Sequence, residues 1–158
     1  MAGPEQLAAA IAERLRGRAL ACAESCTAGR LSEMFATVEG AADWFRGGVV
    51  AYQVPIKRSI LGVESSSVLC ERAAAEMAVG VAGLLDADVA IATTGVAGDE
   101  PEDGVEPGTV FIATYIDGAV HAVSSRFTGD PVSVCESARD YALAFLLDHL
   151  DRASSKNG

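Results

Sequence analysis

The chain has 158 residues, half of them hydrophobic, and a formal net charge of −10 at pH 7. This length corresponds to about one domain, with a core large enough to fold without a metal or disulfides. The charge disfavours nucleic acid and anionic membranes as partners, because both require a basic surface. No apolar stretch reaches the roughly 18 residues of a membrane span and there is no signal-peptide pattern, so we expect a soluble, cytoplasmic protein.

Cysteine and histidine are sparse and show no metal-binding spacing. The residues are Cys22, Cys26, Cys70, Cys135, His121 and His149. The sequence has no CxxC pair and no recognisable zinc pattern. We therefore expect reduced, buried thiols, no metal and no cofactor.

Apolar spacing predicts alternating helices and strands in the first half of the chain. An amphipathic helix is predicted over residues 5–16, ended by Gly17, and a short buried strand over residues 18–23. The next helix is predicted over residues 28–37. Residues 47–52 form a strand, because Val and Tyr favour a pleated surface and paired glycines disfavour a helix.

The second half of the chain continues the alternation. A short helix follows Pro55, since proline is accepted at the first positions of a helix. A helix over residues 70–85 precedes a strand over residues 88–93. The remaining predicted elements are strands at 109–117 and 119–127, joined around Asp117-Gly118 as a hairpin, and a helix from Pro131 to Leu150. This pattern predicts one α/β domain over residues 1–150, with three α/β/α layers and a mixed, mostly parallel sheet, followed by a flexible tail at 151–158.

A polar cluster interrupts the apolar pattern at residues 23–29, AESCTAG. It lies at the corner between the first strand and the second helix, where helix N–H groups lack partners within the helix. Ser25 or Thr27 could cap this helix. Alternatively, the corner could stabilise developing negative charge, with Ser25 as the functional group and Thr27 as the cap.

Lys57 is the one lysine predicted within the folded body, because the only other one, Lys156, falls in the predicted tail. A partly buried lysine can release its proton near neutral pH, whereas arginine cannot. Lys57 is therefore either an amine base in a site or an exposed residue of a short helix.

The segment GDEPEDGVEPG at residues 98–108 is a loop with five carboxylates. The simpler interpretation is a solvated acidic loop. A divalent-cation site is the alternative, although the EF-hand spacing is absent.

Several short motifs resemble, in order, one known family. They are AESCTAG, WFRGGVVAY, LGV at 61–63, TTGVAG at 93–98, PGTV at 107–110 and FTGD at 127–130. Together they resemble the C-terminal domain of the CinA (competence/damage-inducible) family over nearly the whole chain. Its stand-alone members include nicotinamide-nucleotide amidases, which convert nicotinamide mononucleotide (NMN) to nicotinate mononucleotide and ammonia.

The resemblance implies site residues. Ser25 would be the nucleophile, assisted by Lys57 and Tyr52. The residues expected to bind substrate are Glu24, Cys26, Thr27, Gly47, Gly48, Thr94, Gly95, Ala97 and Gly98. The expected partners are a small amide substrate and further copies of the same chain. Cys26 is a rival nucleophile, because a helix N-terminus lowers the pKa of a thiol.

Two departures from the family pattern bear on the substrate. The glycine-rich stretch that family members carry after TGIAG is replaced by residues 99–103, DEPED, and two arginines of the family pattern near residues 130–135 are missing. An acidic loop repels a phosphate. Cations that could compensate are Arg30, Arg46, Arg58, Arg126 and Arg139. Three functions stay open: an NMN amidase with a rebuilt phosphate site, an amidase for an uncharged or cationic amide, and a non-catalytic binding or assembly protein.

Overall fold

The structure is a computed structural model that describes residues 2–156. Its helices are α1 (Pro4–Leu15), α2 (Arg30–Ala36), α3 (Val54–Ser59), α4 (Glu71–Leu84) and α5 (Pro131–Lys156). Its strands are β1 (Leu20–Glu24), β2 (Phe45–Val50), β3 (Val89–Gly95), β4 (Thr109–Ile116) and β5 (Ala119–Arg126). A single 3₁₀ turn at Ala41–Asp43 precedes β2 in this part of the chain.

The sheet has the order β2-β1-β3-β4-β5 over the described residues. Strand β1 pairs in parallel with both β2 and β3, while β4 is antiparallel to β3 and to β5. Four strands therefore point one way and β4 runs against them, so the predicted mixed sheet is confirmed. Because β1 lies between β2 and β3, the carboxyl ends of these three strands meet at the switch point where open α/β sheets bind ligands.

Helices cover both faces of the sheet, as predicted. On one face, Leu20, Cys22 and Ile91 pack with Phe35 of α2 and Leu143 of α5 in one core cluster that also includes α1. The opposite face is built from small side chains of β1 and β3 that pack against α4. This alternation follows from the strand period of two, which sends successive side chains to opposite faces.

The β4–β5 hairpin confirms the predicted turn. Asp117 and Gly118 have φ values of 48° and 92°. These left-handed conformations at both central positions are those of a type I′ turn, for which the Asp-Gly pair is favoured.

The predicted end of the last helix is wrong, because α5 continues to Lys156. Leu150 is fully buried and ties this region to the core. Beyond it, Asp151 accepts from Arg14 of α1 at 3.0 Å, and Arg152 pairs with Asp148 at 2.9 Å across one helical turn. The predicted tail is thus helical up to residue 156, and residues 157–158 lie outside the described residues. No described helix is both long enough and apolar enough to cross a bilayer.

Two glycines of α4 offer a matched stability test. A Cβ at Gly80 would overlap the backbone carbonyl of Leu61, whereas a Cβ at Gly83 would meet no atom within 4 Å. We expect Gly83→Ala to stabilise the protein by up to about 1 kcal/mol. Gly80→Ala should destabilise it by about 1–3 kcal/mol, since backbone must shift. Thermal unfolding of the two variants checks this, and equal melting temperatures would contradict the close packing of α4 on Leu61.

Candidate active site

A cavity of about 200 Å³ lies at the carboxyl ends of β1, β2 and β3. Its lining residues are Ser25, Cys26, Tyr52, Lys57, Leu69, Gly95, Ala97, Gly98 and Glu102. Seven of these were predicted from the sequence. The fold brings together Ser25 after β1, Tyr52 and Lys57 after β2, and Gly95 at the end of β3. The chain segments that carry them are far apart in sequence, so the convergence is a property of the sheet order.

Ser25 lies in the turn after β1, at the predicted corner, but five residues before α2 begins and therefore not directly at the helix N-terminus. Its N–H donates to Thr93 O at 3.1 Å, and its carbonyl accepts from Ala28 N at 3.0 Å. Ala28 has φ 48° and Gly29 has φ 97°. Two consecutive left-handed residues reverse the chain sharply between Ser25 and the start of α2.

The backbone N–H groups next to Ser25 are available as donors. Among residues 2–156, neither Cys26 N nor Thr27 N donates a hydrogen bond, although both residues are almost fully buried. Unpaired donors beside a nucleophile can stabilise the oxyanion of a tetrahedral intermediate. The site therefore provides a candidate oxyanion hole from the turn itself.

Lys57 belongs to α3, and its side chain is only 4% exposed. Burial lowers the pKa of Lys57 below its ordinary value, and the Cys26 sulfur and the Glu102 carboxylate oppose part of that effect. It forms no ion pair within 4.0 Å in the described part of the chain. Lys57 is thus buried at the cavity, and the prediction that it is an exposed residue of a short helix is wrong.

Tyr52 stands at the rim of the cavity and is 67% exposed. No direct hydrogen bond joins the side chains of Tyr52, Ser25 and Lys57 within residues 2–156. Catalytic hydrogen bonds are often long in unliganded sites and shorten when substrate binds. The three side chains line one cavity, which is the arrangement the proposed chemistry requires.

Glu24 has a structural role that the sequence analysis missed. Its buried carboxylate accepts from Leu31 N at 2.8 Å, Ser32 N at 2.9 Å and Ser32 Oγ at 2.6 Å. Thr27 Oγ1 donates to it at 2.7 Å and also lies 2.8 Å from Thr93 Oγ1. Glu24 therefore satisfies the first N–H groups of α2, and the prediction that Thr27 caps this helix is wrong; the N-cap is Gly29.

We expect Glu24→Ala to lower the free energy of unfolding by about 2–4 kcal/mol, because it leaves several buried donors without an acceptor. Glu33→Ala is the matched control, since Glu33 is an exposed carboxylate of α2, the helix whose N–H groups Glu24 accepts from. Its effect should stay within about 0.5 kcal/mol. Urea denaturation measures both, and comparable losses in the two variants would show that the Glu24 network is unimportant.

Five residues that were predicted to bind substrate do not line the cavity: Glu24, Thr27, Gly47, Gly48 and Thr94. The first two belong to the hydrogen-bond network described above. Gly47 has φ 131° beside a bulge in the β1–β2 pairing. A Cβ at Gly48 would collide with Ser32 Oγ, and Thr94 donates to Val68 O at 3.0 Å. These residues shape the strands that carry the site.

Cys26 lines the cavity but is a poor nucleophile. Burial raises the pKa of the Cys26 thiol to about 12, and the nearby Cys135 adds to the effect, while Lys57 opposes it. The thiol is therefore protonated at neutral pH, whereas thiolate is the reactive form. The expected lowering of its pKa by a helix N-terminus is wrong, because Cys26 precedes α2 by four residues. All four cysteines are free thiols; Cys70 is only partly buried and accepts from Ala73 N at the start of α4.

The acidic loop is solvated, as predicted, since all five of its carboxylate residues are exposed, and it also reaches the rim of the cavity. Glu102 is a lining residue that sequence reasoning did not place in the site. Leu69 also lines it, and no motif pointed to that residue. Residues 2–156 contain no group of three or more His, Cys, Asp or Glu side chains arranged to hold a metal ion.

A second cavity of about 230 Å³ adjoins the first and shares Ala97 and Gly98 with it. Arg126 and Asp99 both line this second cavity. Arg126 lies 4.0 Å from Glu106, and both side chains are more than 60% exposed, so this pair is weak. Of the five arginines considered as compensating cations, Arg126 is the one that lines either cavity among the described residues.

Of the other four arginines, three donate hydrogen bonds to nearby groups and one is exposed on a strand. Arg30 donates to Thr27 O at 3.2 Å, Arg58 to Val63 O and Ser65 O, and Arg139 to Asp140 at 2.8 Å. Arg46 is an exposed residue of β2. None of the four lines the cavities described above.

Comparisons with known proteins agree with the motif resemblance. Residues 4–150 match the family described as CinA C-terminal domain. The chain is 40% identical over 146 residues to protein YdeJ of Escherichia coli, covering 89% of this chain and 83% of that protein. It is 38% identical over 139 residues to a CinA-like protein of Thermotoga neapolitana, covering 84% of this chain but only 34% of that protein.

Solved structures give the same result. A competence-damaged protein (CinA) superfamily protein from Enterobacter cloacae superimposes with a TM-score of 0.92 at 36% identity, covering 95% of this chain and 94% of that chain. A superfamily protein from Klebsiella pneumoniae gives a TM-score of 0.90 at 34% identity, covering 96% and 99%.

Proposed function

Because this chain belongs to the CinA C-terminal domain family, we propose that it is an amidohydrolase of the nicotinamide-nucleotide amidase type. The proposed reaction converts NMN and water to nicotinate mononucleotide and ammonia. The observation that carries the proposal is the convergence of Ser25, Lys57 and Tyr52 on one cavity of about 200 Å³. The roles proposed for these three residues require no histidine, metal ion or cofactor.

The residues fit an acyl-enzyme route. Lys57, whose pKa is lowered by burial, takes the proton of Ser25 as Oγ attacks the carboxamide carbon. The N–H groups of Cys26 and Thr27 donate to the oxyanion that forms. Collapse of the intermediate breaks the C–N bond, and the protonated Lys57 returns its proton so that ammonia leaves.

Water then completes the cycle. It attacks the ester carbon of the acylated Ser25 and gives its proton to Lys57, and cleavage of the ester releases the carboxylic acid and restores the hydroxyl. Tyr52, at the rim, can hold the substrate ring or relay the proton to the leaving group.

The adjoining cavity provides room for the rest of a nucleotide. With the carboxamide at Ser25, a ribose would pass Ala97 and Gly98, and a phosphate would face Arg126. Arg126 opposes the repulsion by Asp99, which lines the same cavity. In this proposal, the phosphate of NMN is bound at a rebuilt site around Arg126.

Assembly with further copies of the chain remains a prediction from the sequence. Exposed apolar side chains around Tyr52 and Lys57 in sequence offer one surface for it: Val50, Val54, Ile56 and Ile60.

The proposal is tested by incubating the protein with NMN and, separately, with nicotinamide riboside, and by measuring ammonia together with the acid product. Release of equal amounts of ammonia and nicotinate mononucleotide supports the NMN reaction. Release from the riboside alone supports the second candidate, an amidase for a non-phosphorylated amide, which the acidic side chains Asp99 and Glu102 favour. Ammonia from neither compound contradicts nicotinamide chemistry and leaves the non-catalytic alternative.

A further inference from the structure

A cavity of about 500 Å³ lies at the opposite end of the sheet from the candidate active site. Ile116 at the end of β4, Ala119 at the start of β5 and the last two turns of α5 line it. Ile116 pairs with Val89 at the amino end of β3, whereas Gly95, at the carboxyl end of β3, lines the active-site cavity. The two cavities are therefore separated by the length of this strand, about 20 Å.

The polar lining of this cavity is basic or neutral. Its polar residues are His121 of β5 and His149, Arg152, Ser155 and Lys156 of α5. The chain has 22 acidic residues against 12 lysines and arginines, yet no carboxylate from residues 2–156 lines the cavity. Both histidines of the chain and one of its two lysines meet here. The cavity thus concentrates positive charge on an acidic protein.

Carboxylates on the surrounding elements already have partners. Three of them pair with arginines: Asp117 with Arg18 at 2.7 Å, Asp151 with Arg14 at 3.0 Å and Asp148 with Arg152 at 2.9 Å. Asp148 therefore offsets part of the Arg152 charge. Lys156 forms no ion pair within 4.0 Å in the described chain. The residues of β4 that share the face of His121, Thr114 and Ile116, are uncharged.

Positive charge accumulates around His121. Partial burial lowers the pKa of His121 below its ordinary value, and the charges of His149, Lys156 and Arg152 lower it further. The two imidazole rings have centroids 4.6 Å apart. Because a carbonyl only accepts, His149 Nδ1 donates to Phe145 O at 2.9 Å, which leaves Nε2 for another partner. An anion in the cavity would offset this mutual repulsion.

Apolar side chains complete the lining. Ile116, Ala119 and Ala153 line the cavity, and the ring of Phe145 lies 4.2 Å, between centroids, from that of His149. A cavity of this volume, with apolar walls and a few polar groups, is typical of sites for small organic molecules. An inorganic ion alone would leave the apolar walls uncovered.

We propose that this cavity is a binding site for a small aromatic acid, that is, an aromatic ring that carries an anionic group. The anionic group would meet Lys156 and His121, and the ring would lie on Ile116 and Ala153. Cations in the last turn of a helix also offset its dipole, but this does not account for His121, which comes from β5. The site is separate from the active site and does not depend on the hydrolase function.

The test uses the ring C–H signals of the two histidines in proton NMR, because both histidines line this cavity. The untagged protein is titrated between about pH 8 and about pH 5, around the ordinary histidine pKa. Titrations are made without ligand, with benzenesulfonate, and with benzenesulfonamide, which has nearly the same shape but is neutral. The charge of benzenesulfonate is constant over this range, and His121→Asn assigns the two signals. We expect benzenesulfonate to raise the pKa of His121 and to bind about three- to tenfold more tightly than the sulfonamide.

The direction of the pH effect follows from linkage. A bound anion favours the protonated imidazole, so its affinity rises as the pH falls through the pKa of His121 in the complex. The affinity levels off below the lowered pKa of His121 in the free protein. His121→Asn should therefore reduce the pH dependence and weaken binding at the low end of the range.

Lys156→Gln removes the cation that has no ion pair, and it should weaken binding of benzenesulfonate about two- to fivefold. Arg46→Gln is the matched control, because it removes the same charge from an exposed residue of β2, at the other edge of the sheet. This variant should leave the affinity unchanged. Inorganic sulfate should bind at least about fivefold more weakly than benzenesulfonate, since it has no ring to bury.

An unchanged pKa of His121 with benzenesulfonate, equal binding of the sulfonamide, or equal weakening in Lys156→Gln and Arg46→Gln would overturn the proposal. Sulfate that binds as tightly as benzenesulfonate would also overturn it, because the cavity would then recognise charge alone. The histidine signals report on this cavity whether or not the protein hydrolyses any amide, so failure of the proposed function leaves the result unaffected.

Discussion

Ser25→Ala should lower kcat/KM for the amide substrate by at least about 10³-fold, because the variant lacks the atom that forms the acyl-enzyme. Substrate binding should change little, since the cavity walls and the donors of Cys26 and Thr27 remain. Ser25 is 4% exposed and its backbone is held by Thr93 and Ala28, so the smaller alanine side chain fits without rearrangement. Initial rates of ammonia release and the dissociation constant of the substrate are the two measurements.

Cys26→Ala is the matched control for this result. Cys26 is the neighbouring residue, lines the same cavity and has a thiol whose pKa is raised to about 12. We expect this variant to keep activity within about tenfold of the wild type, the change reflecting packing alone. If Cys26→Ala were inactive and Ser25→Ala active, the roles of the two residues would have to be exchanged.

The sequence predicts the local parts of this structure well. The Asp117-Gly118 hairpin is confirmed because its turn type is determined by two adjacent residues. The position of Ser25 after β1 and of Lys57 after β2 also follows from neighbouring apolar patterns. Residues at the carboxyl ends of adjacent parallel strands then necessarily meet at one edge of the sheet.

Features that depend on distant contacts could not be predicted in the same way. Glu24 looks like a site residue in AESCTAG, but its partners are the N–H groups of Leu31 and Ser32, which reach it only because the turn at Ala28 and Gly29 reverses the chain. Composition marked residues 98–108 as a loop, yet no local signal showed which face of the molecule it covers. Glu102 lies at the cavity only because the loop covers that face of the molecule.

The end of α5 also depends on contacts between residues that are distant in sequence. Serine, lysine, asparagine and glycine near the terminus are typical of a frayed tail, and this composition led to the wrong boundary. Beyond Leu150 the helix packs Ala153 against the core, and Asp151 meets Arg14 of a different helix; local propensity encodes neither contact.

Lys57→Met should nearly abolish catalysis and stabilise the fold at the same time. Loss of the general base lowers kcat/KM by about 10²- to 10⁴-fold. Methionine fills a similar volume but has no amine that must be desolvated, so the variant should melt at a higher temperature. The expected rise is about 2–4 °C for each kcal/mol of desolvation cost removed, at this chain length. Lys57→Arg is the control: it keeps the charge, cannot act as a base, and should lose both activity and stability.

The pH dependence separates this explanation from a simple packing effect. Burial lowers the pKa of Lys57 in the folded state, so between that pKa and the ordinary lysine pKa the unfolded chain binds more protons than the folded one. The contribution of Lys57 to stability therefore rises with pH across this window, and the advantage of Lys57→Met should shrink as pH rises. In the wild type, kcat/KM should rise with pH up to the lowered pKa of Lys57. A melting difference that is independent of pH, together with a flat pH–rate profile, would mean that Lys57 is not the titrating base and that its burial serves the fold alone.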